Sequence, residues 1–259
     1  MRLRFLGTGT SFGVPVVGCD CATCTSEDPR DRRTRHAALV ESDDGHRLLI
    51  DTPPELRMQL IDAGVGTLDA VWFTHCHADH VQGIDDLRAV SVRRNDPLRI
   101  FAGPGCAETL RHRFEYIFDN AYRPPPGTSR PELRLETLDP AHEVHASGMT
   151  LRPACAQHGP MTVYGLRTGG LGYITDAKTL MPGAFDALAG CSVLVLNALW
   201  FGNPHPTHLN VEEAIELSLQ IGAERTFLTH LTHRVRHQEL VDALPPGIEP
   251  AYDGLTVDF

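Results

Sequence analysis

Residues 73–83 read FTHCHADHVQG, and within six positions of that stretch lie His75, His77, Asp79 and His80, directly behind the apolar run AVWF. Imidazole nitrogens and carboxylate oxygens are the donor set of Zn²⁺, Mn²⁺ and Fe sites. A loop leaving a strand end can turn His75 and His77 to one ion and Asp79 and His80 to a second. Two ions about 3.5–4 Å apart activate a water and clamp a phosphoryl group during in-line displacement. A polar turn with incidental histidines is the plain alternative, and the H-x-H-x-D-H spacing weighs against it. A binuclear site needs more ligands. Three further apolar runs stop at a residue able to supply one: His158 after LRPACAQ, Asp176 after GYIT and His230 after RTFLT. Alone, each reads as a surface or capping residue; the repeated pattern makes them candidates as a set.

A second constellation is GCDCATC, which sets Cys19, Cys21 and Cys24 in C-x-C-x-x-C. Thiolates favour Zn²⁺, and structural zinc is four-coordinate, so one ligand is missing. Cys76 belongs to the histidine loop and is expected elsewhere. His233, in THLTH three residues after His230, is the expected fourth ligand, with His237 the weaker choice. Such a Cys₃His zinc would tie a loop at about residues 15–30 to the chain beside the catalytic metals. Three free thiols in a reducing compartment are the alternative.

The elements that must position these groups follow from pattern. MRLRFLG alternates as a first strand, followed by the Gly-rich loop GTGTSFGVPVVG. That loop lacks the Lys-[Ser/Thr] ending of a phosphate-binding P-loop, so a sharp turn is expected. HAALVES and HRLLID pair across the turn DDG, and PELRMQLIDAGV is helical. LDAVWFTH is a strand, HVQGIDDLRAV is expected to open a helix, LRIFAG is a strand and PGCAETLRHRFEYIF a helix. Short strand-like runs fill residues 132–176; CSVLVLNAL is a buried strand, NVEEAIELSLQIG a helix capped by Asn210, and ERTFLTH a strand. Asp51, ending RLLI, is expected to support the histidines as a hydrogen-bond acceptor, with metal ligation or helix capping left open. This distribution points to an α/β class chain with layered sheets.

Composition limits the partners. The 259 residues suit one domain; 33 acidic against 23 basic residues give a net charge of −10. That argues against a polynucleotide gripped by a basic surface, while a small anion held by metal remains open. Seven cysteines without regular spacing do not make a secreted disulfide framework. VVGC, ending at Cys19, resembles a lipoprotein cleavage site, but Arg4, three glycines and Pro15 break the segment before it. The expectation is a cytoplasmic protein with no membrane partner.

With these motifs in place, the chain resembles the metallo-β-lactamase superfamily, and the resemblance implies a single-domain αββα sandwich. In that pattern His75, His77 and His158 hold one metal, Asp79, His80 and His230 the other, and Asp176 bridges them. GTGTSFGVPVVGC, the C-x-C-x-x-C loop, THCHADHVQG, LTHLTH and the late YDG look like the PhnP-like cyclic-phosphate phosphodiesterases within it. That likeness implies two Mn²⁺ or Zn²⁺ ions, one structural Zn²⁺, a small anionic substrate such as a 5-phosphoribosyl 1,2-cyclic phosphate, and a homodimer. His208, in HPTHLN, is the expected general acid, because histidine titrates near neutrality and this one precedes a helix. The resemblance also implies a catalytic histidine in this segment; His205 is the rival, and Asp79 is counted as catalytic beside His208. Arg35, Arg123 and Arg167 could reach a phosphate, though a solvated arginine is the simpler reading of each. The competing functions are a tRNA 3′-end endonuclease, a β-lactamase or thiolester hydrolase, and a metal-binding protein without catalysis.

Overall fold

The structure, a computed structural model, describes residues 1–259. One sheet contains β1 (Arg2–Gly7), β2 (Ala37–Glu41), β3 (Arg47–Ile50), β4 (Ala70–Phe73), β5 (Leu98–Ala102) and β6 (Leu133–Thr137) in that order. The other contains β7 (Val144–Ala146), β8 (Met149–His158), β9 (Met161–Thr168), β10 (Leu171–Tyr173), β11 (Thr179–Leu180), β12 (Val193–Asn197), β13 (Arg225–Thr229) and β14 (Ile248–Pro250). A last strand, β15 (Thr256–Asp258), returns to pair with β1. Helices α1 (Leu56–Asp62), α2 (Ala78–Val81), α3 (Arg88–Ser91), α4 (Pro104–Arg113) and α5 (Glu115–Phe118) accompany the first sheet, and α6 (Ala184–Leu188), α7 (Val211–Ile221) and α8 (His237–Ala243) the second.

Period-two alternation assigns side chains to layers. Leu3, Phe5 and Trp72 face inward and pack against Leu166, Tyr173 and Phe227 of the opposite sheet. Leu6, Val71 and Phe73 face outward, onto Leu56 and Leu60 of α1 and Leu110 of α4. On the far side Leu194, Leu196 and Leu228 pack against Val211 and Ala214 of α7 and Leu240 of α8. Three apolar layers between four structural layers make the expected αββα sandwich. None of the helices is long and apolar enough to cross a membrane.

Strand direction decides where the chemistry gathers. β1, β3 and β4 run the same way and β2 runs against them, so the end of β3 and the start of β2 share one edge. In the second sheet β8, β10, β12 and β13 also share a direction, because β9 is antiparallel to both of its neighbours. The two edges are joined. Tyr164 N–H donates to the Thr74 carbonyl at 2.8 Å, and Leu231 N–H to the Thr8 carbonyl at 2.8 Å.

Two expected helices are broken. HVQGIDDLRAV divides into α2, a 3₁₀ turn over Gln82–Leu87 and α3. Gly83 lies on the Pro53 carbonyl so tightly that a Cβ would sit 2.1 Å from its oxygen, and Thr52 bonds to both His80 and Gly83. The chain is shaped there by the loop it covers, not by helix propensity. PGCAETLRHRFEYIF likewise splits at Phe114, whose φ of −121° and ψ of 46° are not helical. The Asn210 cap holds, in a reciprocal capping box with Glu213.

Candidate active site

Three strand ends deliver their residues through an uncommon backbone turn. Asp51, Asp176 and His230 have φ of 62°, 53° and 57°. A non-glycine residue in the left-handed region costs on the order of 1–3 kcal/mol, and Asp and His are among the types that tolerate it best. All three are buried. His75 and His77 follow β4, His80 lies in α2, and His158 ends β8.

Three ring nitrogens converge first. His77 Nδ1 lies 3.0 Å from His75 Nε2 and 3.3 Å from His158 Nε2. Ligand nitrogens around one tetrahedral zinc are roughly 3.3 Å apart, from bond lengths near 2.0–2.1 Å. Asp79, His80 and His230 form the adjacent group, with donor atoms within 4.8 Å of one another. Asp176 stands between the two: its Oδ2 is 3.2 Å from His230 Nε2 and 3.9 Å from His75 Nε2, and its Oδ1 is 3.5 Å from His80 Nε2. His80 Nε2 and His230 Nε2 are buried and make no hydrogen bond, which fits nitrogens aimed at a cation.

The electrostatics agree with that fit. Burial pushes His75 and His230 well below the ordinary histidine range, and His77 and His158 move the same way for the same reason. Neutral imidazole is the form that binds metal. Burial opposes ionisation of Asp176, yet His230 and His80 beside it hold its carboxyl well below the usual range. At His80 burial also opposes charge, but Asp176 and Asp51 raise it well above normal. Two buried carboxylates thus call for positive charge at this point.

The residues behind the donors fix their orientation. Asp51 accepts His80 Nδ1 at 2.7 Å, the Thr74 hydroxyl at 2.7 Å and the Thr74 N–H at 2.8 Å. These bonds are those of a supporting acceptor, while the N-cap position of α1 falls at Glu55, whose side chain makes no capping bond. Holding Nδ1 leaves His80 Nε2 facing the cluster, and the Thr207 carbonyl does the same for His158, 2.9 Å from its Nδ1. His36 extends the network, with Nδ1 3.3 Å from Asp51 and Nε2 2.6 Å from the Tyr173 hydroxyl. His36 escaped the sequence reading because it precedes a strand; only the antiparallel direction of β2 reveals that it belongs to this edge.

His208 Nε2 lies 3.2 Å from Asp176 Oδ2, and its ring stacks on His230 at 5.1 Å. His205 sits one step out, 3.2 Å from His208 through their Nδ1 atoms and edge-on to Trp200 at 5.6 Å. Both line a cavity of about 580 Å³ that also exposes His77, Asp79 and Asp176. The three arginines do not line it. Arg35 pairs with Glu55, while Arg123 and Arg167 donate to backbone carbonyls.

The thiol cluster is separate. His233 Nδ1 lies 3.3, 3.5 and 3.6 Å from the sulfurs of Cys19, Cys21 and Cys24. Sulfur and nitrogen ligands on one tetrahedral zinc are about 3.5 Å apart, from bonds near 2.3 and 2.0 Å. The Cys24 N–H directed at it brings the Cys21 thiol down to about 6, while burial pushes Cys24 up to about 11. His237 is not in this group; its N–H donates to Asp31 at 2.7 Å and its ring packs on Tyr252. Fully buried Arg33 clamps the loop around His233, donating to the carbonyls of Thr232 at 2.6 Å and Val235 at 3.0 Å and to Asp31 at 3.1 Å.

Residues 46–231 match the beta-lactamase superfamily domain. The chain belongs to the metallo-β-lactamase superfamily. Within that superfamily it is PhnP-like: the crystal structure of a new diphosphatase from the PhnP family superposes with a TM-score of 0.90 at 35% identity, covering 100% of this chain and 97% of that one. A ribonuclease Z of Mycobacterium sp. (strain KMS) is 28% identical over 78% of this chain and 79% of its own length. An octanoyltransferase of Porphyromonas gingivalis (strain ATCC BAA-308 / W83) is 40% identical over 98% of this chain, which spans only 51% of that relative's length. The His/Asp groups of this chain are able to hold divalent metal.

Proposed function

We propose that the protein is a binuclear phosphodiesterase acting on a small phosphate ester, cyclic in the form its PhnP-like resemblance implies. The observation that carries this reading is the pair of donor triads, His75/His77/His158 and Asp79/His80/His230, joined by Asp176 in the wall of one cavity. Two divalent ions, Mn²⁺ or Zn²⁺, held there would supply Lewis-acid activation of water and neutralise phosphoryl charge. The chain's own residues do the rest. Asp51 and the Thr207 carbonyl hold His80 and His158 in the required orientation. His208, beside Asp176 and open to the cavity, gives its proton to the departing alkoxide as the P–O bond breaks and the water oxygen bonds to phosphorus. Cys19, Cys21, Cys24 and His233 would hold a structural Zn²⁺, which would fix the N-terminal loop beside the site.

The names of the relatives do not favour another substrate strongly. A precursor tRNA requires phosphate contacts from basic groups, whereas the net charge is −10 and no lysine or arginine lines the cavity. The octanoyltransferase name belongs to a chain of which about half lies outside the match. Metal-loaded protein should hydrolyse a small cyclic phosphate diester to the monoester, followed by ³¹P NMR, and leave precursor tRNA intact. Cleavage of the tRNA with the diester untouched would reverse the assignment.

A further inference from the structure

Asp51 is fully buried, and one of its oxygens gathers more donors than the histidine loop supplies. Oδ2 takes the Thr74 hydroxyl and His80 Nδ1, each at 2.7 Å, and His36 Nδ1 stands 3.3 Å from the same atom. That His36 nitrogen is buried and has no other partner. Beside a carboxylate it must carry the hydrogen, since a lone pair there would be repelled. His36 Nε2 is then the acceptor, and the Tyr173 hydroxyl, 2.6 Å away, donates to it. Burial pushes Tyr173 well above its ordinary value, so the hydroxyl keeps its proton. Tyr173 thus orients His36, His36 faces Asp51, and Asp51 holds His80.

This line of groups joins the two sheets and serves one side of the donor cluster. Tyr173 ends β10 in the second sheet and shortly precedes Asp176, whereas His36 leads into β2 in the first. Their bond ties the strand that delivers Asp176 to the edge that delivers Asp51. The ring of His36 lies 5.1 Å from that of His80, 27° from parallel, and 6.4 Å from that of His230. Both belong to the Asp79/His80/His230 group. The rings of His75, His77 and His158 pack on one another at 4.7, 5.3 and 5.0 Å, and none of them meets His36. Neither His36 nor Tyr173 lines the cavity, so neither acts by touching a substrate.

We infer that Tyr173 and His36 are positioning residues for one of the two ions: through Asp51 and the His80 and His230 rings they set the affinity of the Asp79/His80/His230 position and not that of the His75/His77/His158 position. This rests on the binuclear reading above. The groups behind a metal ligand fix its ring and its basicity, and losing one costs about 10–100-fold in metal affinity.

The test is a titration of chelator-stripped full-length protein with Mn²⁺ alone, the free ion being counted by electron paramagnetic resonance. The unsubstituted protein is expected to take up two Mn²⁺ ions at the histidine site. Asp79→Ala and His77→Ala, each deleting a ligand from one position, identify which binding step is which. Tyr173→Phe keeps the ring and removes the hydroxyl; it should weaken the Asp79-side ion by about ten-fold or more and leave the other in place. His36→Ala should reproduce that selective loss, and His36→Asn, which keeps an N–H where Nδ1 stands, should recover most of it. Equal weakening of both ions, or a loss that His36→Asn does not reverse, would mean a general loosening of the fold. Unchanged affinities in Tyr173→Phe and His36→Ala would mean that the line does not reach the metal. Either result overturns the inference, while uptake of two ions leaves the binuclear reading standing. Uptake of fewer than two ions by the unsubstituted protein overturns both.

Discussion

At the scale of single residues, the site is a problem of holding nitrogen lone pairs in one direction. His80 and His158 each have Nδ1 held by a neighbour, Asp51 and the Thr207 carbonyl, so Nε2 is the free donor. His208 is different in kind: its Nε2 touches Asp176 from the cavity side, and 13% of its side chain is exposed. Replacing His208 by Ala is expected to lower kcat for a diester by roughly 10²–10⁴-fold, the span of general acid catalysis. Metal content by mass spectrometry should stay unchanged. Turnover close to that of the unsubstituted protein would move the role to His205 or to water. The ligand candidates were legible because each follows an apolar run, a pattern that survives without any structure. His36 and Tyr173 were not, since what ties them to Asp51 is the direction of β2 and contact between sheets. Nor does sequence spacing express the left-handed φ of Asp51, Asp176 and His230.

At the scale of elements, strand order brings distant residues together and loops lock them. The N-terminal loop reaches the 230–236 loop through the thiol–imidazole cluster and the buried Arg33. Asp253, in YDG, adds a third tie by accepting from Thr8 and Thr34, each through its N–H and its hydroxyl. Cys21→Ser is expected to remove one zinc per chain and to lower thermal stability, because zinc bound only by the folded state contributes to folding. Unchanged zinc content in that variant would refute the structural zinc. The C-x-C-x-x-C spacing announced this cluster, and His233 was separable from His237 only by its closeness to His230. Helix continuity was less legible. Near His80 the interruption comes from Gly83 pressed against the Pro53 carbonyl, a tertiary contact that local propensity does not encode.

At the scale of the whole molecule, two sheets with their chemistry along one edge leave the rest of the sandwich to supply stability. His237, 3% exposed, is an accessible probe of that stability. Burial, then Arg30 and Arg33 nearby, bring it down to about 4 from an ordinary value of 6.5. The unfolded chain therefore binds a proton there that the folded chain refuses between those values. Stability from this group is complete above pH 6.5 and is lost as pH falls toward 4. His237→Gln should lose about 2 kcal/mol less than the unsubstituted protein between pH 7 and pH 5, read by urea unfolding. Equal losses would mean that the group does not titrate as its burial requires. The layered α/β architecture was legible from alternating strands and terminal helices, whereas the pairing of the two sheets edge to edge depends on bonds such as Tyr164 to Thr74.

The central claim is that the two triads and Asp176 hold two metals whose joint presence permits phosphodiester hydrolysis. The direct measurement is a titration of chelator-stripped protein with Mn²⁺ or Zn²⁺ while following release of p-nitrophenol from bis(p-nitrophenyl) phosphate. Negligible release is expected without metal, and activity should saturate when two ions are bound beyond the one the thiols would hold. Asp176→Ala should abolish that rise. Two ions bound with no release, or release that needs no metal, would contradict it.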